Sequence, residues 1–247
     1  MSEGSWTLRF VDEFDAPSLD GDSWTTCYWW NDRGCTNKGN SELQWYLAEN
    51  VSVADGLLKL QARASPTEVD GRTYPYTSGM VTSGRYYVER EQPDRFSFTY
   101  GYVEVRAKMP SGKGLWPAIW LLPSDHTSKP EIDIMEALGR APDVLETHYH
   151  YQLADRTHIV GKSTATSDLS RKFHRYGVEW SANEIRWYLD GREIWRVSEG
   201  VPIASRPMYL LMNLAVGGEW AGPDVDSARL PADLFVDYVK IWQQAPS

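Results

Sequence analysis

The segment Pro130-Glu131-Ile132-Asp133-Ile134-Met135-Glu136 places three acids within six residues, interleaved with Ile and Met. On a regular strand successive side chains alternate, so Glu131, Asp133 and Met135 would share a face and Glu136 would point away. One extra residue absorbed near Ile134 or Met135, a β-bulge, would bring Glu136 round to the other two acids. The alternative is an edge strand with solvated acids, but such an edge would not need Ile132, Ile134 and Met135 packed between the charges. Two carboxyl groups held together can cut a glycosidic bond: one attacks or activates water, and the other delivers a proton to the leaving oxygen. Like charges at close quarters disfavour full ionisation, so one carboxyl of such a group keeps its proton near neutral pH. Asp133, between the two glutamates, can hydrogen-bond and orient the nucleophile.

Upstream lies Gly114-Leu115-Trp116-Pro117-Ala118-Ile119-Trp120-Leu121-Leu122-Pro123. Trp116 and Trp120 have equal parity and can present two rings on one face. Sugar rings carry apolar C–H faces that stack on aromatic platforms, so Trp beside a carboxylate pair reads as carbohydrate subsites. The competing reading buries these rings between sheets. Trp116 is expected in a cleft and Trp120 at a depth the pattern does not settle. Further on, His148 and His150 in Thr147-His148-Tyr149-His150 share parity, with His150 favoured as the site residue and His148 close behind. His174 is assigned to packing and turn structure.

The elements that must position these residues show period-two alternation. Over Gly56–Ala64, Leu58, Leu60, Ala62 and Ala64 face one way; over Tyr102–Met109, Val103, Val105, Ala107 and Met109 do the same. Ile185–Leu189 and Arg192–Val197 flank Asp190-Gly191, a two-residue hairpin turn whose positions both tolerate positive φ. Val236–Gln243 reads as a final strand. Ser167–Phe173 supplies at most a short turn or helix. With no repeat or low-complexity linker, residues 1–247 read as one all-β domain of two packed antiparallel sheets.

Composition narrows the function classes. Lys plus Arg number 25 against 34 Asp plus Glu, a net charge of −9, which argues against a phosphate-binding surface and hence against nucleic acid. The longest apolar stretch, Met208 to Val216, is interrupted by Asn213 and falls far below the roughly 18–20 residues a bilayer requires. No membrane partner is expected. The N-terminal Met-Ser-Glu-Gly-Ser-Trp lacks the basic and apolar regions of a signal peptide. Aromatics make up 13% of the chain, with 12 Trp and 14 Tyr, more than a core alone calls for. Cys27 and Cys35 lie eight positions apart in a loop-like Trp-, Asn- and Gly-rich stretch; a disulfide is the favoured reading and two free thiols the alternative.

The acidic segment together with Gly-Leu-Trp-Pro-Ala-Ile-Trp-Leu-Leu resembles glycoside hydrolase family 16, and within it the bulge-containing laminarinase-like branch. The resemblance runs from Phe10-Val11-Asp12-Glu13-Phe14-Asp15 through Asn40-Ser41-Glu42-Leu43-Gln44-Trp45-Tyr46 and Tyr100–Arg106. It continues through His174-x-Tyr176, Glu179-Trp180 and Asn213–Gly218-x-Trp220 to Val236-Asp237-Tyr238-Val239. It implies a curved two-sheet jelly-roll sandwich, concanavalin-like, with an open endo-acting cleft. Glu131 would be the nucleophile, Asp133 the assisting carboxylate and Glu136 the general acid/base of a retaining mechanism on internal β-1,3-glucosidic bonds. Asn40, Glu42, Asn213 and Trp220 would join Trp116, Trp120, His148 and His150 as substrate contacts, with Trp29 added from the Trp29-Trp30 and Asn31–Asn40 loop. The resemblance also implies a structural Ca²⁺ away from the chemistry, on Glu13, the carbonyl of Gly56 and Asp237, with no cofactor for catalysis. A monomer acting outside the cell on a β-glucan polysaccharide follows from the same likeness.

Two other readings stay in view. A galactan hydrolase, agarase- or carrageenase-like, can use the same bulged motif, although sulfated substrates favour basic loops and this chain is acidic. A carbohydrate-binding module or lectin can share the jelly roll, but a pure binder has no use for two acids in a charge-repelling site.

Overall fold

Alternating side chains form strands wherever one set has a core to enter, and here most of the chain does so. The computed structural model of the protein describes residues 4–30, 35–89 and 91–245. In chain order the strands begin with β1 (Trp6–Asp12), β2 (Gln44–Tyr46), β3 (Val51–Ala54), β4 (Leu57–Ala62), β5 (Thr67–Val69) and β6 (Arg72–Tyr74). Next come β7 (Tyr76–Ser78), β8 (Met80–Thr82), β9 (Gly101–Lys108), β10 (Leu115–Pro123), β11 (Glu131–Glu136) and β12 (Val144–Leu153). The last six are β13 (Arg156–Ala165), β14 (His174–Trp180), β15 (Ile185–Leu189), β16 (Arg192–Val197), β17 (Met208–Val216) and β18 (Ala232–Gln244).

One sheet runs β16-β15-β14-β9-β18-β4-β3, and β1 takes over from β4 along the far half of β18. The other runs β13-β12-β11-β10-β17-β8. Every pairing in both sheets is antiparallel. The departure from the expected architecture is a small parallel pair, β2 with β7, outside both sheets. A parallel pair needs a long crossover, and the excursion through β3–β6 supplies it.

The sheets meet through one apolar layer. Leu58, Leu60, Val103, Val105, Val178, Trp187, Leu234 and Val236 enter it from the larger sheet; Ile119, Leu121, Ile132, Leu145, Leu210, Met212 and Leu214 enter it from the smaller. The expected inward sets of β4 and β9 are buried, except Ala64, which is exposed because the strand ends at Ala62. The Asp190-Gly191 turn has φ of 53° and 81° at its two positions, as a hairpin of this type requires. Ser167–Phe173 forms a turn, not a helix: the Asp168 carboxylate accepts from Ser170 N at 2.9 Å and satisfies the backbone locally. Among the described residues the α-helix is a single turn, α1 (Gly218–Ala221).

The outer face of the smaller sheet carries a second apolar cluster. Ala118, Trp120 and Leu122 of β10 join Met80, Tyr209 and Leu211, with Trp45 and Tyr46 of β2 and Tyr28, Cys27 and Cys35 from the preceding loop packed over them. Cys27 and Cys35 are joined in a disulfide, and both are buried. This settles the alternative of free thiols. Of the Asn31–Asn40 loop, residues 31–34 lie outside the described residues.

Because the bridge closes a short loop that presents aromatic rings, replacing both cysteines with Ser should lower stability by about 2–3 kcal/mol, or roughly 5–10 °C in Tm. Far-UV circular dichroism should stay that of a β protein. Calorimetry on the variant checks the first expectation, and an unchanged Tm would show that the loop is held by its ring contacts alone.

Candidate active site

The geometry of the candidate site begins with a slip in register. β11 pairs with β12 as Glu131↔His150, Ile132↔Tyr149 and Asp133↔His148, and then resumes at Glu136↔Glu146. The slip recurs on the other side, where Ile119 faces Met135 and Trp120 faces Asp133. One residue on β11 is therefore extra, as the spacing of the acids requires. Ile134 and Met135, 1% and 0% exposed, both enter the core. Two consecutive side chains cannot do that on a regular strand. The bulge absorbs the half-period and returns Glu136 to the face of Glu131 and Asp133. A bulge also interrupts the ladder, and the carbonyl of Asp133 is met from the opposite sheet, where Trp187 Nε1 donates to it at 2.8 Å.

Each carboxylate has its own partners. Glu131 Oε2 accepts from Lys129 Nζ at 2.5 Å, and its Oε1 lies 3.8 Å from His150 Nε2. Glu136 Oε1 accepts from Trp116 Nε1 at 3.1 Å, and its Oε2 is 2.8 Å from His148 Nδ1. Asp133 is 2% exposed. Its Oδ2 lies 3.0 Å from His150 Nε2 but makes no hydrogen bond, because the ring nitrogen is not aligned with it. Side-chain ligand atoms of Glu131, Asp133 and His150 lie within 4.8 Å of one another, as do those of Asp133, Glu136 and His148. Asp133 thus belongs to both groups and stands between the two glutamates.

The electrostatics follow from this crowding. Burial, and then the charges of Glu136 and Glu131, push the Asp133 carboxyl well above the ordinary range, so it holds its proton. Burial alone would lower His148, but the hydrogen bond to Glu136 and that group's charge outweigh it and raise the imidazole. His150 is lowered by burial, with Lys129 adding to the effect against the pull of Glu131. Two histidines on one face of β12 are shifted in opposite directions because only one bonds directly to an acid.

A cleft of about 440 Å³ opens over these groups. Trp116, Trp120, Trp29, Asn40, Glu42, Asn213 and His150 line it. His148 and Trp220, also expected as substrate contacts, are not among the residues that line this cavity. Trp220, on α1, packs edge-on to Trp116 at 5.1 Å and lies 5.9 Å from His148, so it braces the two partners of Glu136. Trp120 is held by a polar chain along the floor. Its Nε1 donates to Asn213 Oδ1 at 2.8 Å, Asn213 Nδ2 donates to Tyr46 OH at 3.1 Å, and Tyr46 OH donates to Glu42 Oε2 at 3.4 Å. Gln44 and Asn40 complete the shell of Glu42 at 2.6 and 3.1 Å. Burial nevertheless raises the Glu42 carboxyl to about 7, against the lowering effect of those hydrogen bonds.

Several lining residues were not singled out from the sequence. Lys129 stands two positions before Glu131, and an isolated Lys beside a Pro carries no sequence signal for the contact its ammonium makes with Glu131. Tyr28 and Trp30, stacked at 4.1 Å, and His126, edge-on to Trp29 at 4.7 Å, come from loops whose direction no periodicity reveals. Asn37 caps the one-turn 3₁₀ segment Lys38–Asn40 by accepting from Gly39 N.

The profile of Glycosyl hydrolases family 16 matches residues 39–239. The chain belongs to that family. It is 39% identical over 252 residues to the endo-1,3-1,4-beta-glycanase EglC of Rhizobium meliloti (strain 1021), covering 96% of this chain and 51% of that protein. The chain thus spans about half the length of that relative. It is 37% identical over 268 residues to a beta-glucanase of Rhodothermus marinus, covering 96% and 85%. The laminarinase catalytic domain of Thermotoga maritima MSB8 superposes with a TM-score of 0.84 at 29% identity, covering 98% of this chain and 99% of that one. These likenesses agree with the jelly-roll sandwich and with the laminarinase-like branch of family 16 implied by the acidic motif.

Glu42 makes stability pH-dependent with a definite sign. A carboxyl raised to about 7 from its ordinary 4.5 binds a proton more tightly folded than unfolded. Its contribution is therefore fully present below about 4.5 and is lost as pH rises through about 7. Replacing Glu42 with Gln should flatten the fall in Tm between those pH values, as read by calorimetry across the range; an unaltered slope would assign the dependence elsewhere.

Proposed function

We propose that this family 16 chain hydrolyses internal β-1,3-glucosidic bonds of laminarin-type β-glucans by a double displacement that retains anomeric configuration. The observation that supports the reading most is the β11 bulge, which gathers Glu131, Asp133 and Glu136 on one face over an aromatic cleft. Glu136 protonates the leaving oxygen while Glu131 attacks the anomeric carbon and forms a glycosyl-enzyme. Glu136 then takes a proton from water as that water displaces Glu131. Retention goes with carboxylates about 5–5.5 Å apart, and both glutamates approach the one carboxyl of Asp133. Trp116 and His148 hold both oxygens of Glu136, so the acid is oriented before substrate arrives. Protonated Asp133 can donate a hydrogen bond to whichever glutamate carries the charge. Rings of Trp116, Trp120, Trp29 and Trp30 offer stacking surfaces for successive sugars, and binding on remote rings orients the scissile bond.

A second reading is favoured by the likeness to EglC, whose name gives 1,3-1,4 activity: mixed-linkage β-glucan is then also cut. Action outside the cell as a monomer fits a polymeric substrate. A structural Ca²⁺ on Glu13, Gly56 and Asp237 belongs to the same proposal. The register pairs Asp12 with Val239 and Leu58 with Val236, which draws the three positions to one region of β18, and oxygen donors suit a hard cation. Asp237 lies on the outer face of the larger sheet, remote from the cleft. Glu13 is ion-paired with Lys240 at 2.7 Å, and Asp237 is ion-paired with Arg106, so Ca²⁺ has to displace two cations.

Two measurements check these statements. Glu131→Gln and Glu136→Gln should each remove nearly all hydrolysis with the fold intact, since an amide is neither nucleophile nor acid. Digestion of laminarin, mixed-linkage glucan, agarose and carrageenan, followed by proton NMR, should release β-anomer first from laminarin. α-Anomer first would overturn retention, and cleavage of agarose without laminarin would replace the glucan assignment. For the cation, saturating Ca²⁺ over EDTA should raise Tm by about 5–10 °C, corresponding to roughly 2.7 kcal/mol at a hundredfold excess over Kd. Asp237→Asn should abolish that rise; a Ca²⁺ effect that survives it would move the site elsewhere.

A further inference from the structure

The groups that gather at Glu131 have a second property, independent of bond cleavage. His150 Nε2, Asp133 Oδ2 and Glu131 Oε1 form a triangle with edges of 3.0 and 3.8 Å from the nitrogen. Ligands of a tetrahedral ion with bonds of about 2.0–2.1 Å stand roughly 3.3–3.5 Å apart, and these edges bracket that spacing. Atoms this close are usually hydrogen-bonded, yet His150 Nε2 and Asp133 Oδ2 are not aligned, and the buried Asp133 oxygen has no hydrogen-bond partner. The two atoms thus lie close without a mutual hydrogen bond, which leaves both open to a third partner. Glu131 offers Oε1 for this purpose, since Oε2 is engaged by Lys129. A metal ligand has to be deprotonated, so an ion that binds here displaces the Asp133 proton to solvent.

The neighbouring triangle of Asp133, Glu136 and His148 does not offer the same vacancy of bonding. His148 Nδ1 is hydrogen-bonded to Glu136 Oε2, and Trp116 holds Glu136 Oε1. The first triangle is therefore the better host. One imidazole and two carboxylates are borderline-to-hard donors that suit Zn²⁺ better than Ca²⁺, which takes six to eight oxygens. Three protein ligands leave a fourth position on the cleft side. The Lys129 ammonium beside Glu131 opposes the ion and keeps the site weaker than a structural zinc site.

We propose that Glu131, Asp133 and His150 form a reversible binding site for Zn²⁺ or a similar divalent transition ion, which occupies the cleft and excludes polysaccharide. The ion would draw on the Glu131 oxygen needed for attack, so a metal-bound chain cannot start the reaction proposed above.

The test is calorimetric titration of the intact protein with ZnCl₂ in a non-chelating buffer, with Co²⁺ as a spectroscopic probe. One Zn²⁺ per chain is expected, with the intense visible bands of four-coordinate Co²⁺, both unaffected by saturating Ca²⁺. His150→Gln should weaken binding by about tenfold or more, as loss of a direct ligand exceeds the effect of losing an outer partner, whereas His148→Gln should leave it within about threefold. Circular dichroism confirms that both variants fold. Absence of saturable Zn²⁺ binding, equal loss in the two variants, or retention in His150→Gln would overturn the site. The binding readout needs no turnover, so a failed glucan assignment and a failed metal site are told apart. With laminarin as substrate, inhibition should follow the same constant and reverse on adding EDTA.

Discussion

Ile134 and Met135 are consecutive, and both must be buried in the apolar layer between the sheets. A pleated strand cannot bury two neighbours on one side, so β11 carries an extra residue, and both adjoining strands shift register around it. Everything distinctive about the cleft depends on that accommodation. It turns Glu136 onto the face of Glu131 and Asp133, leaves the Asp133 carbonyl in need of a donor, and makes Trp187 of the opposite sheet supply one. The hydrophobic demand of the core thus aims the three acids, and an indole of the opposite sheet is hydrogen-bonded to the backbone beside them.

Once the acids are together, their surroundings differentiate them. Asp133 is buried between two like charges and keeps a proton. Glu136 is gripped by an indole and an imidazole, whereas Glu131 is met by an ammonium. Three chemically similar side chains on one short strand therefore differ in what they can do before any substrate enters. The same crowding leaves an oxygen of Asp133 and a nitrogen of His150 near each other without a bond, which is why a site organised for acid–base work also presents donors to a metal ion.

The cleft floor shows a comparable division. β10 buries Ile119 and Leu121 between the sheets while showing Trp116, Ala118, Trp120 and Leu122 on the other side. β17 is apolar along its length, and Asn213 is its one polar interruption within Met208–Val216. That interruption binds the Trp120 indole and opens the chain of hydrogen bonds to Tyr46 and Glu42. A polar residue that breaks an apolar run here serves to fix a ring, with Cys27–Cys35 anchoring the loop that brings Tyr28, Trp29 and Trp30 over it.

Alternation, turn chemistry and the spacing of the acids determined the sandwich, the hairpin at Asp190-Gly191 and the need for a bulge between Asp133 and Glu136, because these are consequences of neighbouring residues along one strand. Likeness of ordered motifs carried Asn40, Glu42, Asn213 and Trp220 to one site. Tertiary structure decided what depends on distant segments meeting. It separated His148, bonded to Glu136, from His150, lodged by Asp133 and Glu131, although both share a parity. It brought Lys129 onto Glu131 and Trp220 edge-on to Trp116, and it paired Glu13 and Asp237 with Lys240 and Arg106. Period and spacing constrain which face a side chain takes; which partner it finds there is set by loops and opposing sheets, whose approach has no periodic signature in the chain.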